Sequence, residues 1–218
     1  MTKSRSNATA PNAKGTLVVG NGTNASTTLA VASTAGYLLA VDSGETTGLK
    51  WAAPAAAGGG LTFIKAQTIG SAVASVTVSD AFSATYDNYL ITVTGGSAAS
   101  DSADIVIKFG AATSDYKFVG IYMKTTSSTV NSFATNSAGN ITVGGGSSNG
   151  FASFITVINP YLTKRTGVIA LTGVTHSDMY FEDYKGFLDN ATSYTSFIIS
   201  SSQNLTGGEI RVYGYQNS

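Results

Sequence analysis

From Leu61 onward apolar and polar side chains alternate, and that period of two decides what the chain can become. Tyr89, Ile91 and Val93 point one way while Leu90, Thr92 and Thr94 point the other. Ile105, Ile107 and Phe109 oppose Asp104, Val106 and Lys108, and Ile210 and Val212 oppose Glu209, Arg211 and Tyr213. A strand that is greasy on one side has one wet face and one buried face, which is the habit of antiparallel sheets. Such runs recur every 10–14 residues or so, close to the spacing of sandwiches and barrels. They are Leu61–Ile69, Val73–Val78, Tyr89–Thr94, Asp104–Phe109, Tyr116–Lys124, Asn140–Val143, Phe151–Ile158, Thr166–Thr172, Met179–Phe187, Tyr194–Ser200 and Glu209–Tyr215. No helical period of 3.6 persists beyond two turns. The expectation is all-β: an antiparallel β-sandwich of jelly-roll type over 61–218, long enough to bury an adequate core.

The first 53 residues obey a different rule. They offer Leu17, Val18, Val19, Leu29, Val31, Tyr37, Leu38, Leu39, Val41, Leu49 and Trp51 for burial, among Gly, Ala, Ser, Thr and Asn. Chains of fewer than roughly 40 residues seldom fold alone without disulfides, metal or partner chains. The sequence has no cysteine, so partner chains remain. The expected organisation is a polar arm at 1–14, an extended anchoring and oligomerisation segment at 15–53, an Ala/Gly linker at 54–60, and the sandwich. Fully stretched, the arm reaches roughly 45 Å, far enough to lie across a neighbouring subunit. The anchor is expected at Leu17, Val18, Val19, Leu49 and Trp51, sheltered by other subunits. Trp51, the one tryptophan, stands just before the linker, where its large area is wasted unless it docks.

Twelve basic side chains balance twelve acidic ones. Zero net charge removes long-range steering toward nucleic acid or an anionic membrane, and it suits a protein that sits packed in an assembly. No window approaches the ~18 consecutive apolar residues of a membrane span. The opening Met1-Thr-Lys-Ser-Arg-Ser lacks the apolar core of a secretory signal, so synthesis in a reducing cytoplasm is expected.

Candidates for chemistry are few. One histidine, His176, and no cysteine argue against the usual zinc and transition-metal sites. His176 reads as a loop residue or a satisfied hydrogen-bonding group. The acidic clusters Asp101/Asp104 and Asp178/Glu182/Asp183 lack the spacing of a calcium loop and read as solvated carboxylates. Gly58-Gly-Gly reads as a hinge, and Gly144-Gly-Gly-Ser-Ser-Asn-Gly as a hairpin loop; neither has the Lys-Ser/Thr of a phosphate loop. Tyr180, Glu182, Asp183 and Tyr184 mix rings with acids, a combination that could grip a sugar, since rings stack on apolar sugar faces while carboxylates accept hydroxyls; the commoner reading of such a run is a strand with buried Phe and edge Tyr. Glycoside hydrolysis needs two acids across a cleft, and Glu182, Asp183 and Asp189 are the acids near these rings. No catalytic residue, metal or cofactor is expected.

Lys14-Gly15-Thr16-Leu17-Val18-Val19-Gly20-Asn21-Gly22, followed by Gly36-Tyr37-Leu38-Leu39-Ala40-Val41-Asp42-Ser43 and Thr46-Thr47-Gly48-Leu49-Lys50-Trp51, resembles a segment of tailed-phage virion proteins. Gln67–Ser71 with Ser79–Tyr89 resembles the opening of their β-domain, and Gly207–Tyr215 its last strand. The resemblance implies a structural protein of the virion: a tail fibre, a head fibre or a capsid-associated protein, often a homotrimer. It implies contacts with other copies of itself, with capsid or tail proteins, and with host surface glycan, without nucleic acid or membrane insertion. The function expected is attachment of the particle by an outward sandwich. Capsid decoration that stabilises the head, and a glycan depolymerase, are the alternatives.

Overall fold

In the computed structural model the described residues are 13–22, 25–54, 60–101, 103–176 and 178–217. They contain no helix, and the chain divides into two compact units, 1–57 and 58–218. The arm at 1–14 and the linker at 54–60 lie outside the described residues, apart from Ala13, Lys14, Pro54 and Gly60.

The first unit is two small antiparallel ribbons. β1 (Leu17–Gly20) pairs β2 (Ser26–Leu29), with Leu17 opposite Leu29. β3 (Leu38–Val41) pairs β4 (Leu49–Ala52), with Leu39 opposite Trp51. The β3–β4 turn is closed by Asp42, whose carboxylate accepts from the Gly44 amide at 2.9 Å and meets Lys50 at 2.6 Å. The indole N–H of Trp51 donates to the Ala30 carbonyl at 2.6 Å and ties the second ribbon to the first. A lone two-stranded ribbon is marginal in water.

The second unit holds twelve strands: β5 (Leu61–Thr68), β6 (Val73–Val78), β7 (Asn88–Ala98), β8 (Ala103–Phe109), β9 (Tyr116–Lys124), β10 (Asn131–Ala138), β11 (Ile141–Gly146), β12 (Phe151–Ile158), β13 (Thr166–Val174), β14 (Tyr180–Leu188), β15 (Phe197–Thr206) and β16 (Glu209–Tyr215). They form two antiparallel layers. The larger runs β5-β16-β7-β12-β13-β14-β9-β10 and the smaller β6-β15-β8-β11. The end of β7 crosses to the smaller layer, where Ala98 and Ser97 face Leu205 and Thr206.

Eight of these strands pair in a nested series: β5 with β16, β6 with β15, β7 with β12, β8 with β11. Successive pairs fall alternately in the two layers. This is the jelly roll, a long double ribbon wrapped on itself. Two excursions are added to it. The hairpin β9–β10 is inserted between β8 and β11, and β13–β14 between β12 and β15. Both extend the larger layer and not the smaller.

The core follows the alternation. Ile155, Ile91 and Val212 stand in one inward row of the larger layer, and Ile107, Ile199 and Val76 in one of the smaller. An aromatic group of Phe82, Tyr89, Phe109 and Phe197 fills the space between, with Phe82 and Tyr89 edge to face at 4.8 Å. The Tyr89 hydroxyl is satisfied by Ser83, donating to its carbonyl at 2.9 Å and accepting from its amide at 2.8 Å. At the β15–β16 turn the backbone of Gly208 has φ +83°, and a Cβ there would lie 2.4 Å from the Gly96 nitrogen. Only glycine permits that conformation and that approach to β7.

The strand-like runs coincide with observed strands, and Val73–Val78, Tyr116–Lys124, Phe151–Ile158 and Glu209–Tyr215 do so end to end. β10 is the strand that alternation does not announce, because Asn131-Ser-Phe-Ala-Thr-Asn-Ser-Ala carries a single large apolar side chain. The Gly144–Gly146 run is corrected: it lies within β11, not in a hairpin loop, and the turn is formed by the residues between Gly146 and Phe151. The face assignment can be tested by a pair of neighbours on β12. Ile155→Ala, at a fully buried position, should cost about 2–5 kcal/mol in denaturant unfolding. Thr156→Ala, which points outward, should cost less than about 1 kcal/mol.

Candidate functional site

The two excursions make the larger layer wider than its lid. β11, the edge of the smaller layer, lies against β13 and β14. Toward β9 and β10 that cover thins, β11 reaching β9 only slightly, and a cleft of about 550 Å³ opens there, between β11 and the inner face of β14, β9 and β10. Its floor is built from inward positions: Val174 on β13, Tyr180, Glu182 and Tyr184 on β14, Tyr122 and Lys124 on β9, Phe133 on β10. Its wall is the edge of the smaller layer, with Thr142, Gly145 and Gly146 of β11 and Ala103 and Asp104 of β8.

The rings are arranged in two groups. Tyr122 and Tyr180 lie 6.0 Å apart, with the Lys124 ammonium 4.9 Å from the centre of the Tyr180 ring. A hydrogen bond with Tyr180 holds the Lys124 pKa above its usual value. His176 stands 5.5 Å from Tyr180. Phe133 and Tyr184 meet at 5.4 Å. Between them, opposite Tyr122, sits Glu182.

Glu182 is the most unusual group in the cleft. Its carboxylate accepts from the Gly145 amide. A Cβ at Gly145 would lie 3.2 Å from a Glu182 oxygen, so the missing side chain is what lets the acid reach the backbone of β11. Burial pushes the Glu182 carboxyl above its usual 4.5, and the Gly145 hydrogen bond only partly opposes this. Burial likewise pushes the Tyr184 hydroxyl well above its usual 10.

At the mouth, Asp101 organises the β11–β12 turn. It accepts from the Ser147 hydroxyl at 2.7 Å and from the Ser148 amide and hydroxyl, both at 3.0 Å. Those bonds hold its carboxylate below the usual range. Its second oxygen lies 3.2 Å from Nε2 of His176, whose Nδ1 accepts from the Asp178 amide. The order is serine, aspartate, histidine, with the carboxylate in the middle. The Ser147 hydroxyl therefore faces an acid and the Thr175 carbonyl, not the imidazole that would activate it as a nucleophile.

Of the residues expected to touch glycan, Tyr180, Glu182 and Tyr184 meet in the cleft. Asp183 does not join them; one residue out of phase, it lies on the opposite face of the sheet and pairs with Lys185. Asp189 pairs with Lys117 and Arg165 and lines no part of the cleft. Among the described residues no group of three or more His, Asp or Glu side chains could hold a metal ion. Asp104, Tyr122, Lys124 and Phe133 escape a reading of the sequence. Inward alternation on β9 places Tyr122 in line with Phe118 and Tyr116, which are core; nothing local announces that the lid stops short.

Of the expected anchor, Leu17 and Val18 are exposed, whereas Val19, Leu49 and Trp51 are half-buried within the first unit. Leu38 and Leu39 on β3 are exposed as well, and Val41 is 86% exposed. No protein-family model, curated protein or solved structure matches the chain.

The raised Glu182 carboxyl fixes a pH dependence. A carboxyl that binds its proton more tightly in the folded chain favours folding in acid. That benefit is lost as pH rises from the ordinary value of 4.5 through the raised one. Glu182→Gln keeps an acceptor for the Gly145 amide and removes the buried charge. Its thermal midpoint should exceed the parent's near pH 8, and the gap should close near pH 4, in parallel melts followed by circular dichroism.

Proposed function

We propose that this chain is a non-enzymatic surface protein of a phage particle. Its N-terminal unit fastens it to the particle with other copies of itself, as a homotrimer, and its jelly roll faces outward as an adhesion module of a tail or head fibre. The observation that carries this reading is the first unit. Its ribbons leave Leu17, Val18, Leu38, Leu39 and Val41 in water, so they gain most of their stability when a neighbouring chain covers those side chains. The likeness of Lys14–Gly22 and Thr46–Trp51 to virion anchoring segments supports the same reading.

The cleft supports the adhesive part. Tyr122 and Tyr180 offer ring faces, and Glu182, Asp104 and Lys124 offer hydrogen-bonding groups to hydroxyls, as a host surface glycan requires. It opens on β14, β9 and β10, at the opposite end of the larger layer from β5, where the linker enters. With strands ~4.8 Å apart, β14 stands roughly 24 Å across the sheet from β5. A capsid decoration protein is the second reading; zero net charge and exposed apolar side chains suit close packing on a shell.

A glycan array probed with the full chain should reveal a ligand, and Tyr180→Ala should weaken it about tenfold, near 1.4 kcal/mol. An array without ligand, together with high copy number and undiminished host adsorption after deletion, would favour decoration; release of reducing sugar would mean a depolymerase instead. Trp51→Ala should weaken assembly or attachment while shifting the melting temperature of the jelly roll by less than about 2 °C. The reverse ranking would defeat the anchoring role.

A further inference from the structure

The two acids inside the cleft are set apart by what they lack. Elsewhere Asp42, Asp178, Asp183, Asp189 and Glu209 each have a lysine or arginine nitrogen within 4.0 Å, and Asp101 has His176. Among the described residues Asp104 and Glu182 stand in no such pair, and both line the cleft. Lys124, the lysine that lines it with them, is engaged at Tyr180 and lies 4.0 Å from Asp178. With Glu182 ionised, the cleft therefore holds two negative charges in excess. The two acids sense each other. Of the causes that raise the Glu182 carboxyl, burial is the largest and the Asp104 charge comes next.

We propose that the cleft takes a glycan through an unacetylated amino sugar, whose ammonium sits between Glu182 and Asp104 among the rings of Tyr122 and Tyr184. This ligand class rests on the adhesive role proposed above and names the chemistry that role requires. An ionised carboxylate only accepts hydrogen bonds, at about four lone-pair sites. Glu182 uses two of its sites, for the Gly145 amide and the Tyr184 hydroxyl, which leaves about two for donors of a ligand. A sugar hydroxyl fills such a site but leaves a half-buried charge unanswered. An ammonium fills it with a charge-assisted bond and cancels the charge. The faces of aromatic rings attract cations as well. The chain already makes that contact in the cleft, with its own Lys124 ammonium 4.9 Å from the centre of Tyr180. A uronate or another anionic sugar meets two like charges instead, and like charges brought together select against a partner.

The test is an array on which each hexosamine is printed both free and N-acetylated, beside neutral hexoses and uronates. It is probed with the full chain near pH 6.5, where sugar amines remain largely charged, and the hits are titrated in solution. A free amino sugar should bind at least about tenfold tighter than its acetylated counterpart. Glu182→Gln should cut that preference below about threefold, with folding checked by circular dichroism. Asp104→Asn, at an exposed position of β8, should narrow it too. Asp183→Asn, one residue along but on the opposite face of the sheet, should leave it intact. Equal binding of the two forms, or a neutral hexose or uronate as the preferred ligand, would overturn the inference and leave the adhesive role standing. A preference that survives both Glu182→Gln and Asp104→Asn would overturn it as well, because the amine would then be read elsewhere. Binding to no glycan at all would overturn the adhesive role and this ligand together.

Discussion

The inner face of an eight-stranded sheet has to be kept from water, and the opposing layer has four strands with which to do it. Over β16, β7 and β12 the cover is complete, and Ile91, Val93, Ile155, Val157, Ile210 and Val212 lose all exposure. Over β13 and β14 it is supplied by β11 alone. Past β11 it ends. Leu188 and Tyr184 remain buried where packing still reaches them, and beyond them the inward positions change from aliphatic to Tyr122, Lys124, Tyr180 and Glu182. The polar cleft thus occupies the part of the sheet that the lid leaves bare.

The same mismatch explains the glycines of β11. An edge strand that must approach a sheet crossing beneath it cannot carry side chains at every contact. A Cβ at Gly144 would lie 2.4 Å from Thr172, and at Gly146 3.0 Å from Ala98 and Ile105. Thr172 is thereby buried yet satisfied, donating to the Val143 carbonyl at 2.6 Å and meeting the Ser153 hydroxyl at 2.7 Å. Close approach of backbone to sheet therefore defines the cleft wall. A buried carboxyl, Glu182, rests on that wall through the Gly145 amide.

The fold was legible wherever one face of a strand is dry. Tyr89, Ile91 and Val93, or Ile105, Ile107 and Phe109, declare their strands without ambiguity because burial and alternation coincide. β10 was not legible, since a strand at the edge of the layer with one face over a cleft needs few apolar side chains. The glycine run of β11 misleads for a physical reason: flexibility and close approach call for the same residue, and only the neighbours distinguish them. Tyr180, Glu182 and Tyr184 could be picked out by their mixed chemistry, but the phase that sends Asp183 to the other face is set by the pairing of β13 with β14. The outward Leu171 and Phe181 resemble core residues in sequence; a run apolar on both sides does not say which side is covered within one chain.

The nested pairing also bears on how the molecule comes into being. β16 lies between β5 and β7, yet it is the last of the three to be synthesised, with Tyr215 facing Leu61. Until it emerges, the first and third strands of the jelly roll have no bridge, and the larger layer is two unfinished pieces with open edges. Pairings of such long sequence separation form slowly, because the chain must close large loops before any contact compensates for them. During that interval the unpaired edges of β5 and β7 are open to strands of neighbouring nascent chains. The final seven-residue strand is therefore the clasp of the domain, and the time taken to fasten it sets how long each new copy stays vulnerable.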